Sequence, residues 1–501
     1  MTTDHLLSLI LFLPSAAALV LLWLPGDKPK SLRFFAFTAS LLPLAATLMV
    51  WARFNPSLQG YQFVEKMDWY PSIGSSYHLG VDGLSLPMAL LTTLLTPLAI
   101  LASSSVKEKV KGFLMLFLFL ETGMLGVFLT LDLLLFFVFW EIGLVPMYFI
   151  INQWGGANRN YASLKFILYT MAGSLGLLLA IQMMGVAAGT FDIVELTATW
   201  PKTAPLPLFG LDPSTVKSIA FWAFVLAFAI KVPVWPFHTW LPDAHTEAPT
   251  PGSMILAGVL LKLGAYGLLR LVLPLYPVES HQYAGWLAFL AAAAIVFGAL
   301  GAFGQNDFKR LVAYSSVNHM GFVVLGIAAA AWAAGTQNAI IAVNGAVLQM
   351  FNHGLSAAGM FFLVGVLYER AHTRDLTQFG GLFAILPVYG GILLFTAMGS
   401  LGLPGLGGFV SEFLVVRGAW PVFTAATAIS MIGLFFTGAY ILKALKMVLH
   451  GPLKEKWTGH LPEIRADEIA VIAPLMILML VSGIWPAWIL EMINKAATAI
   501  F

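Results

Sequence analysis

The sequence predicts an all-α polytopic membrane protein with about fourteen transmembrane helices. Of its 501 residues, 59% are hydrophobic and only 10% are charged, whereas a soluble domain carries roughly 25% charged residues. Apolar runs of about 20 residues, the length that crosses a bilayer as a helix, recur along the whole chain. Two of these runs are interrupted by proline or glycine beside an ionisable residue, a pattern typical of transporters.

The first apolar run has Asp4 and His5 before it and cations after it. A cleavable signal peptide carries its positive charge ahead of the apolar run, so we expect this helix to be retained. Between the second and third runs, alternation from Gln62 to Trp69 predicts a short surface hairpin. The fourteen predicted spans are 5–24, 32–52, 84–104, 113–130, 132–152, 162–188, 216–240, 252–273, 283–303, 308–331, 338–368, 380–419, 422–449 and 467–493.

The distribution of cations predicts the topology. Seventeen of the 26 Lys and Arg residues, Lys309 among them, lie in or beside loops that follow odd-numbered spans. Seven, Arg270 among them, fall on the other side, which leaves Lys231 and Lys262 inside spans. Because cytoplasmic loops are enriched in Lys and Arg, we expect odd loops in the cytoplasm and both termini outside.

Two predicted spans are broken. The first break follows Lys231, where Pro233 and Pro236 remove backbone donors. The second lies at 402–408 and is followed by Glu412. Breaks five spans apart predict two five-helix repeats, inverted relative to each other because each has an odd number of helices. The predicted domains are 1–112 (three N-terminal spans with the hairpin), 113–275 (first repeat), 276–450 (second repeat) and 451–501 (loop and last span).

Six ionisable side chains lie within apolar spans, where each costs free energy unless it is paired, hydrated or neutral. Burial and neighbouring charges shift the pKa values of carboxylates and amines in opposite directions, so such groups can exchange protons. Alternating carboxylate, lysine and histidine is therefore the composition expected of a proton relay. The predicted relay residues are Glu141, Lys231, Lys262, His319, His353 and Glu412.

Each of these residues also has a simpler interpretation. A buried Glu–Lys pair can be purely structural, and a single buried histidine can be a satisfied polar group between two helices. Asp132, at the turn between spans four and five, is expected to cap a helix. Four residues after the first break fit either a solvated loop that caps span eight or a site of proton uptake; they are His238, Asp243, His245 and Glu247.

The composition also limits the chemistry. The chain has no cysteine, which excludes disulfides, Cys-ligated zinc and iron–sulfur clusters within it. No basic block suggests nucleic-acid binding, and no metal site is predicted. Two competing hypotheses remain: His319 and His353 as axial ligands of a b-type haem, and a passive scaffold, which leaves six buried ionisable groups without a reason.

Seven stretches resemble one known family, the antiporter-like membrane subunits of respiratory complex I. Together they are specific, and the resemblance runs over nearly the whole chain. They are LGVDGLSLPM (79–88), LLLFFVFWEIGLVPMYF (133–149), KFILYT (165–170), KVPVWPFHTWLPDAHTEAPTPGS (231–253), KLGAYG (262–267), QNDFKRLVAYSSVNHMGF (305–322) and NHGLSAAGMFFLVG (352–365).

Within that family the chain is similar to M-type members, because Glu412 follows the second break where L- and N-type members carry a lysine. The resemblance implies a charge-coupled pair in Glu141 and Lys231, a central relay at Lys262 and a terminal site at Glu412. His319 and His353 would connect them. It also implies L-type and N-type neighbours in a lipid bilayer, with NADH, FMN, iron–sulfur clusters and quinone bound by other subunits. The related alternative is the D subunit of a multisubunit sodium/proton antiporter.

Overall fold

The chain folds into a helical bundle, described for residues 5–500 by a computed structural model. Its helices are α1 (Leu6–Leu21), α2 (Pro29–Arg53), α3 (Ser85–Leu101), α4 (Val110–Leu129), α5 (Leu133–Trp154), α6 (Arg159–Ala188), α7 (Ile193–Thr199), α8 (Pro213–Lys231), α9 (Trp240–Glu247), α10 (Thr250–Leu275), α11 (Pro277–Phe303), α12 (Phe308–Trp332), α13 (Gln337–Ala371), α14 (Pro387–Leu401), α15 (Gly407–Ala419), α16 (Thr424–Leu449), α17 (Ala466–Ile484) and α18 (Ala487–Ala499).

Within residues 5–500, twelve helices are long and apolar enough to cross a membrane. Two shorter apolar helices, α1 and α14, match the first predicted span and the first half of the twelfth. The polytopic all-α class is confirmed, while the count of fourteen spans stays a prediction. The last predicted span is divided into α17 and α18, because Pro486 follows a residue that leaves the helical conformation.

Both predicted breaks are present. Helix α8 ends at Lys231, and the chain continues irregularly to α9, which begins at Trp240. Trp240 Nε1 donates to the Ile230 carbonyl at 2.8 Å, so an indole satisfies one of the carbonyls that the break leaves free. At the second break, Gly402 ends α14 with φ +83°, a left-handed conformation that favours glycine.

The centre of the bundle is built by α3, α10, α12 and α13. Every residue in the most apolar part of α10 and of α13 is buried, while α2, α16 and α17 keep most of their residues at the periphery. Helix α13 packs against α10, α12, α15 and α17. The helices that carry Lys262, His319 and His353 are therefore shielded from lipid by the rest of the chain.

A hairpin covers one end of the bundle, which we call the hairpin end. Strands β1 (Gln62–Tyr70) and β2 (Ser75–Val81) pair antiparallel, as the alternation predicts. Asp132 caps α5 by accepting from Leu134 N and Leu135 N, which confirms the predicted cap, and it also accepts from Ser76 N of β2. One carboxylate thus fixes the hairpin on a helix terminus.

Two cations that the topology count assigns to loops are buried in helices. Arg270 belongs to α10, and Lys309 belongs to the first turn of α12; both are buried. Counting them with the loops was wrong, since the predicted spans 252–273 and 308–331 contain both positions. Arg270 is paired with Asp82, and Lys309 Nζ donates to the carbonyl of Ala248.

Candidate functional site

The first part of the site is the end of α8. Lys231 is buried, and its Nζ lies 5.0 Å from the centre of the Trp140 ring. Glu141 follows Trp140 on α5, and its Oε1 is buried without a hydrogen-bond partner. No ion pair within 4.0 Å joins Glu141 to Lys231 in the part of the chain that the structure describes. The structure brings the two residues into one region but leaves the pair open.

Helix α10 meets this region directly. A Cβ on Gly264 would lie 2.7 Å from the Phe228 carbonyl oxygen and 3.0 Å from Lys231 Cβ. Only glycine lets the two helices approach this closely. A displacement of the end of α8 therefore moves α10 at Gly264, two residues from Lys262.

The second part of the site is the contact of α10 with α13. Lys262 is fully buried and donates to the Ala257 carbonyl at 2.7 Å. Its Nζ also lies 2.7 Å from Nδ1 of His353. His353 Nε2 has no hydrogen-bond partner within residues 5–500. A proton shared by Lys262 and His353 thus has one open direction, through the far nitrogen of the imidazole.

The third part of the site surrounds the second break. His319 Nδ1 lies 2.7 Å from Glu412 Oε1, and the same oxygen accepts from Gln349 Nε2 at 2.9 Å. Ser411 Oγ donates to Gln349 Oε1 at 2.5 Å, and Tyr440 OH lies 3.3 Å from His319 Nε2. The carboxylate at the second break is thus held by a histidine and an amide.

Between the two histidines there is one gap. Their ring centroids are 5.7 Å apart, and both rings line a cavity of about 10 Å³ together with Tyr440. That volume is at the lower limit for one water. A single water there would join the two histidines, whereas a porphyrin does not fit. The haem hypothesis fails on space, because the cavity between the two imidazole rings is far smaller than a porphyrin.

The four residues after the first break divide into two groups. Asp243 is bound by Lys165 at 2.7 Å and by Arg310 at 3.2 Å, and His238 is partly exposed beside Tyr314. Asp243 fits the structural interpretation of this segment, whereas Nδ1 of His238 is buried without a hydrogen-bond partner within residues 5–500.

His245 and Glu247 are placed differently. His245 is fully buried, stacks on Phe361 at 4.3 Å, and has no partner for either ring nitrogen. The charges of Lys309 and Lys262 both act on it. Glu247 lines a cavity of about 370 Å³ at the end of the bundle opposite the hairpin. Glu247 thus lies at the cavity, and His245, two residues before it, lies inside the bundle.

Sequence reasoning missed one buried acid. Glu121 on α4 is completely buried, and neither carboxylate oxygen has a hydrogen-bond partner in residues 5–500. It interrupts an apolar run just as Glu141 does, so the same criterion could have found it. Gln349, Ser411 and Tyr440 gave no signal, because polar residues of this size are common between packed helices.

Two family models match the chain. The model described as "NADH:quinone oxidoreductase/Mrp antiporter, TM" covers residues 130–439. The model described as "NADH-ubiquinone oxidoreductase chain 4, amino terminus" covers residues 9–132. Together they span all six predicted relay residues.

Similar proteins carry closely related names. NADH-quinone oxidoreductase subunit M of Rhodobacter capsulatus is 42% identical over 98% of this chain and 96% of that protein. Subunit M of Rickettsia conorii is 41% identical over 98% and 97%. NAD(P)H-quinone oxidoreductase chain 4 1 of Synechococcus elongatus is 40% identical over 98% and 90%.

Solved structures show the same fold. A chain in respiratory complex I from Thermus thermophilus with bound NADH superposes with a TM-score of 0.86 at 28% identity, covering 99% of both chains. A chain of the Mrp complex from Dietzia gives 0.85 at 23% identity over 100% and 98%, a likeness of fold alone. Fold and site define a multi-pass membrane subunit of the antiporter-like class, one part of a larger complex. The chain belongs to the family of NADH-quinone oxidoreductase subunit M, or chain 4.

Proposed function

We propose that this subunit moves protons along the line Lys262, His353, His319 and Glu412, driven by quinone reduction elsewhere in the complex. The observation that carries the proposal is the pair of 2.7 Å contacts, Lys262 to His353 and His319 to Glu412. Only one gap of the size of a water separates them. Four ionisable groups from four helices in this arrangement let a proton move between neighbours without crossing apolar space.

Glu141 and Lys231 act as the switch of this line. In the open arrangement described above, the ammonium of Lys231 rests over an aromatic ring instead of against a carboxylate. Closing the pair removes positive charge from the surroundings of Lys262, and opening it restores that charge. Because Gly264 lies directly against Lys231, the switch acts on α10 by packing as well as by charge.

Proton uptake takes place through the cavity at the end of the bundle opposite the hairpin. Glu247 and Lys309 line this cavity, and the charges of Lys309 and Lys262 both act on His245, two residues before Glu247. An unpartnered imidazole stacked on Phe361 can rotate or take a proton without breaking a hydrogen bond. Asp243 orients the segment through Lys165 and Arg310. His238, whose Nδ1 has no hydrogen-bond partner among the described residues, stays a candidate for proton entry.

The cation distribution supports placing this end of the bundle in the cytoplasm of a bacterial inner membrane, with both termini on the other side. Glu412 is the site that faces an L-type neighbour, and N-type subunits and lipids cover other faces. The subunit contributes no redox centre; NADH, FMN, iron–sulfur clusters and quinone are handled by partner subunits. The Mrp likeness is one of fold, so we retain proton translocation in complex I as the function.

The test uses the assembled complex in membrane vesicles. Glu141→Gln and Lys231→Ala are expected to lower both NADH oxidation and NADH-driven proton translocation. Lys217→Ala is the matched control, because Lys217 lies on the same helix but donates only to the carbonyls of Trp200 and Pro201. Wild-type oxidation and translocation in both variants would overturn the proposed switch.

A further inference from the structure

A buried ion pair lies on the same helix as the central lysine, towards the hairpin end. Arg270 Nη2 is 2.5 Å from Asp82 Oδ1, and both side chains are buried. Arg270 Nε contacts the hydroxyl of Tyr266 at 3.1 Å, and Nη1 contacts that of Tyr61 at 2.9 Å. A continuous polar cluster therefore joins α10 to the segment before α3.

This cluster is aligned with Lys262. Lys262, Tyr266 and Arg270 are spaced four residues apart, so they share one face of α10. Two π-helical turns, Leu256–Leu260 and Leu268–Val272, bracket the regular turn that carries Lys262. Such turns are frequent at functional sites because they break the regular hydrogen-bond ladder.

Beyond the ion pair lies a cavity at the hairpin end. Its volume is about 170 Å³, and Tyr61, Asp82, Arg270 and Lys495 line it. A polar space of this size holds several waters. Asp82 and Arg270 thus stand between α10 and a space that water can fill.

We propose that Tyr266, Arg270 and Asp82 form the gate through which a proton held at Lys262 leaves the subunit at the hairpin end. The inference rests on the proposed function, since it takes Lys262 as a proton carrier. It makes the line from His353 to Glu412 a store that returns its proton to Lys262 before release. Lys262 Nζ contacts the Ala257 carbonyl and His353 Nδ1 in this structure. Its side chain therefore has to rotate towards Tyr266 before it can give a proton to the Tyr266 hydroxyl.

The Lys262 ammonium becomes an amine as it gives its proton to the oxygen of the Tyr266 hydroxyl. That hydroxyl, which donates to the Phe128 carbonyl at 3.2 Å in the resting arrangement, turns and gives its own proton to Asp82. The Asp82 carboxylate becomes a carboxylic acid once Arg270 moves away, and it then gives the proton to water in the cavity. Arg270 stays charged throughout, because a guanidinium does not deprotonate in proteins. Its charge opposes the return of protons from the cavity, as an arginine does in other proton-excluding pores.

A purely structural role accounts for less of the geometry. Asp82 Oδ1 also accepts from Leu84 N and Ser85 N at 3.0 Å each, so it stabilises the start of α3 without any arginine. Burying the guanidinium adds a large desolvation cost that an ion pair does not always repay. A role of the buried guanidinium in blocking the return of protons accounts for this desolvation cost.

The experiment measures proton leak through the purified complex in liposomes, without NADH, after a pH gradient is imposed. Arg270→Gln is expected to speed the decay of the gradient about tenfold or more, because the charge barrier is gone. Arg370→Gln is the matched control. Arg370 forms a pair of similar side-chain burial with Glu468 at 2.6 Å, but on α13 at the end of the bundle opposite Arg270. It is expected to leak no more than the wild type.

A second substitution shows the route of the leak. Adding Lys262→Met to Arg270→Gln is expected to return the leak to the wild-type rate. Equal leaks in the Arg270 and Arg370 variants, or a leak that persists without Lys262, would overturn the gate. If Arg270→Gln does not assemble, Tyr266→Phe is used; it should lower protons translocated per NADH, and an unchanged ratio contradicts the gate. Normal translocation in Lys262→Met alone would instead refute the proposed function.

Discussion

Lys262 Nζ and His353 Nδ1 lie 2.7 Å apart in the middle of the bundle, and each is the side-chain partner that the structure gives the other. If Lys262 and His353 act as one unit, the effects of replacing each of them on proton translocation are not additive. We expect Lys262→Met and His353→Leu each to lower NADH-driven proton translocation about tenfold or more. The double variant should be no worse than either single variant.

The control for these single and double variants is Lys443→Met. Lys443 also donates to backbone carbonyls, those of Phe303 and Gln305, but lies at the end of the bundle. Its loss should leave translocation unchanged. A double variant whose loss equals the product of the two single losses would show that Lys262 and His353 act independently.

Glu412 is expected to depend on its charge more than on its shape. Glu412→Gln can still accept from His319 and Gln349, which now bond Oε1, but an amide does not take up a proton in this range. We therefore expect assembly to be normal and translocation to fall about tenfold or more. Glu412→Asp should retain part of the activity. Full translocation in the glutamine variant would exclude Glu412 as a proton site.

The contact of α8 with α10 can be tested with two glycines. Gly264→Ala places a methyl group within 3.0 Å of Phe228 and Lys231, whereas Gly285→Ala adds one where no other atom lies within 4 Å. We expect the first to reduce translocation about tenfold, because small displacements at a proton-transfer site are costly. The second should behave as the wild type. Equal rates of proton translocation in the two variants would mean that packing at Lys231 does not affect Lys262.

Glu121 gives a prediction about stability. Its buried carboxylate has no partner, so Glu121→Met should raise the stability of the subunit by about 1–3 kcal/mol. Glu412→Met should do the opposite, since it leaves His319 and Gln349 without their acceptor. Heat-induced dissociation of the purified complex measures both. A lower midpoint for Glu121→Met would reveal a partner for this acid in the assembled complex.

The hairpin should become less stable at low pH. Burial opposes ionisation of Asp192, but hydrogen bonds from His78 and Lys66 outweigh it and hold the pKa of Asp192 below its ordinary value. A depressed pKa stabilises the folded state above the unfolded value and loses that effect as the pH falls below about 4. The protection of the amides in β1 and β2 against hydrogen exchange, relative to the intrinsic exchange rate at each pH, should therefore stay constant from pH 6 to about 4 and fall below it. Asp192→Asn should show lower protection at pH 6 and a smaller change with pH.

Much of the fold could be read from the sequence because its strongest signals are local. Apolar length fixed the spans, and proline and glycine beside Lys231 and Glu412 marked both breaks. Buried cations were harder to place. Arg270 and Lys309 were counted with the loops although they fall within predicted spans, because the sequence around them does not identify Asp82 or the Ala248 carbonyl as a partner.

By itself, the sequence determined the class of protein, its two broken helices and the ionisable residues within its spans, since hydropathy and helix breaking act over a few neighbouring residues. Only the tertiary structure decided which of those residues meet. It brought Lys262 into contact with His353, and His319 into contact with Glu412. It left Glu141 without an ion pair to Lys231 in the described part of the chain. It also showed that Asp243 is bound by cations, whereas His245 has no hydrogen-bond partner within residues 5–500. These outcomes depend on helix packing at close-contact glycines and on the reach of single side chains, quantities that arise only when distant segments are brought together.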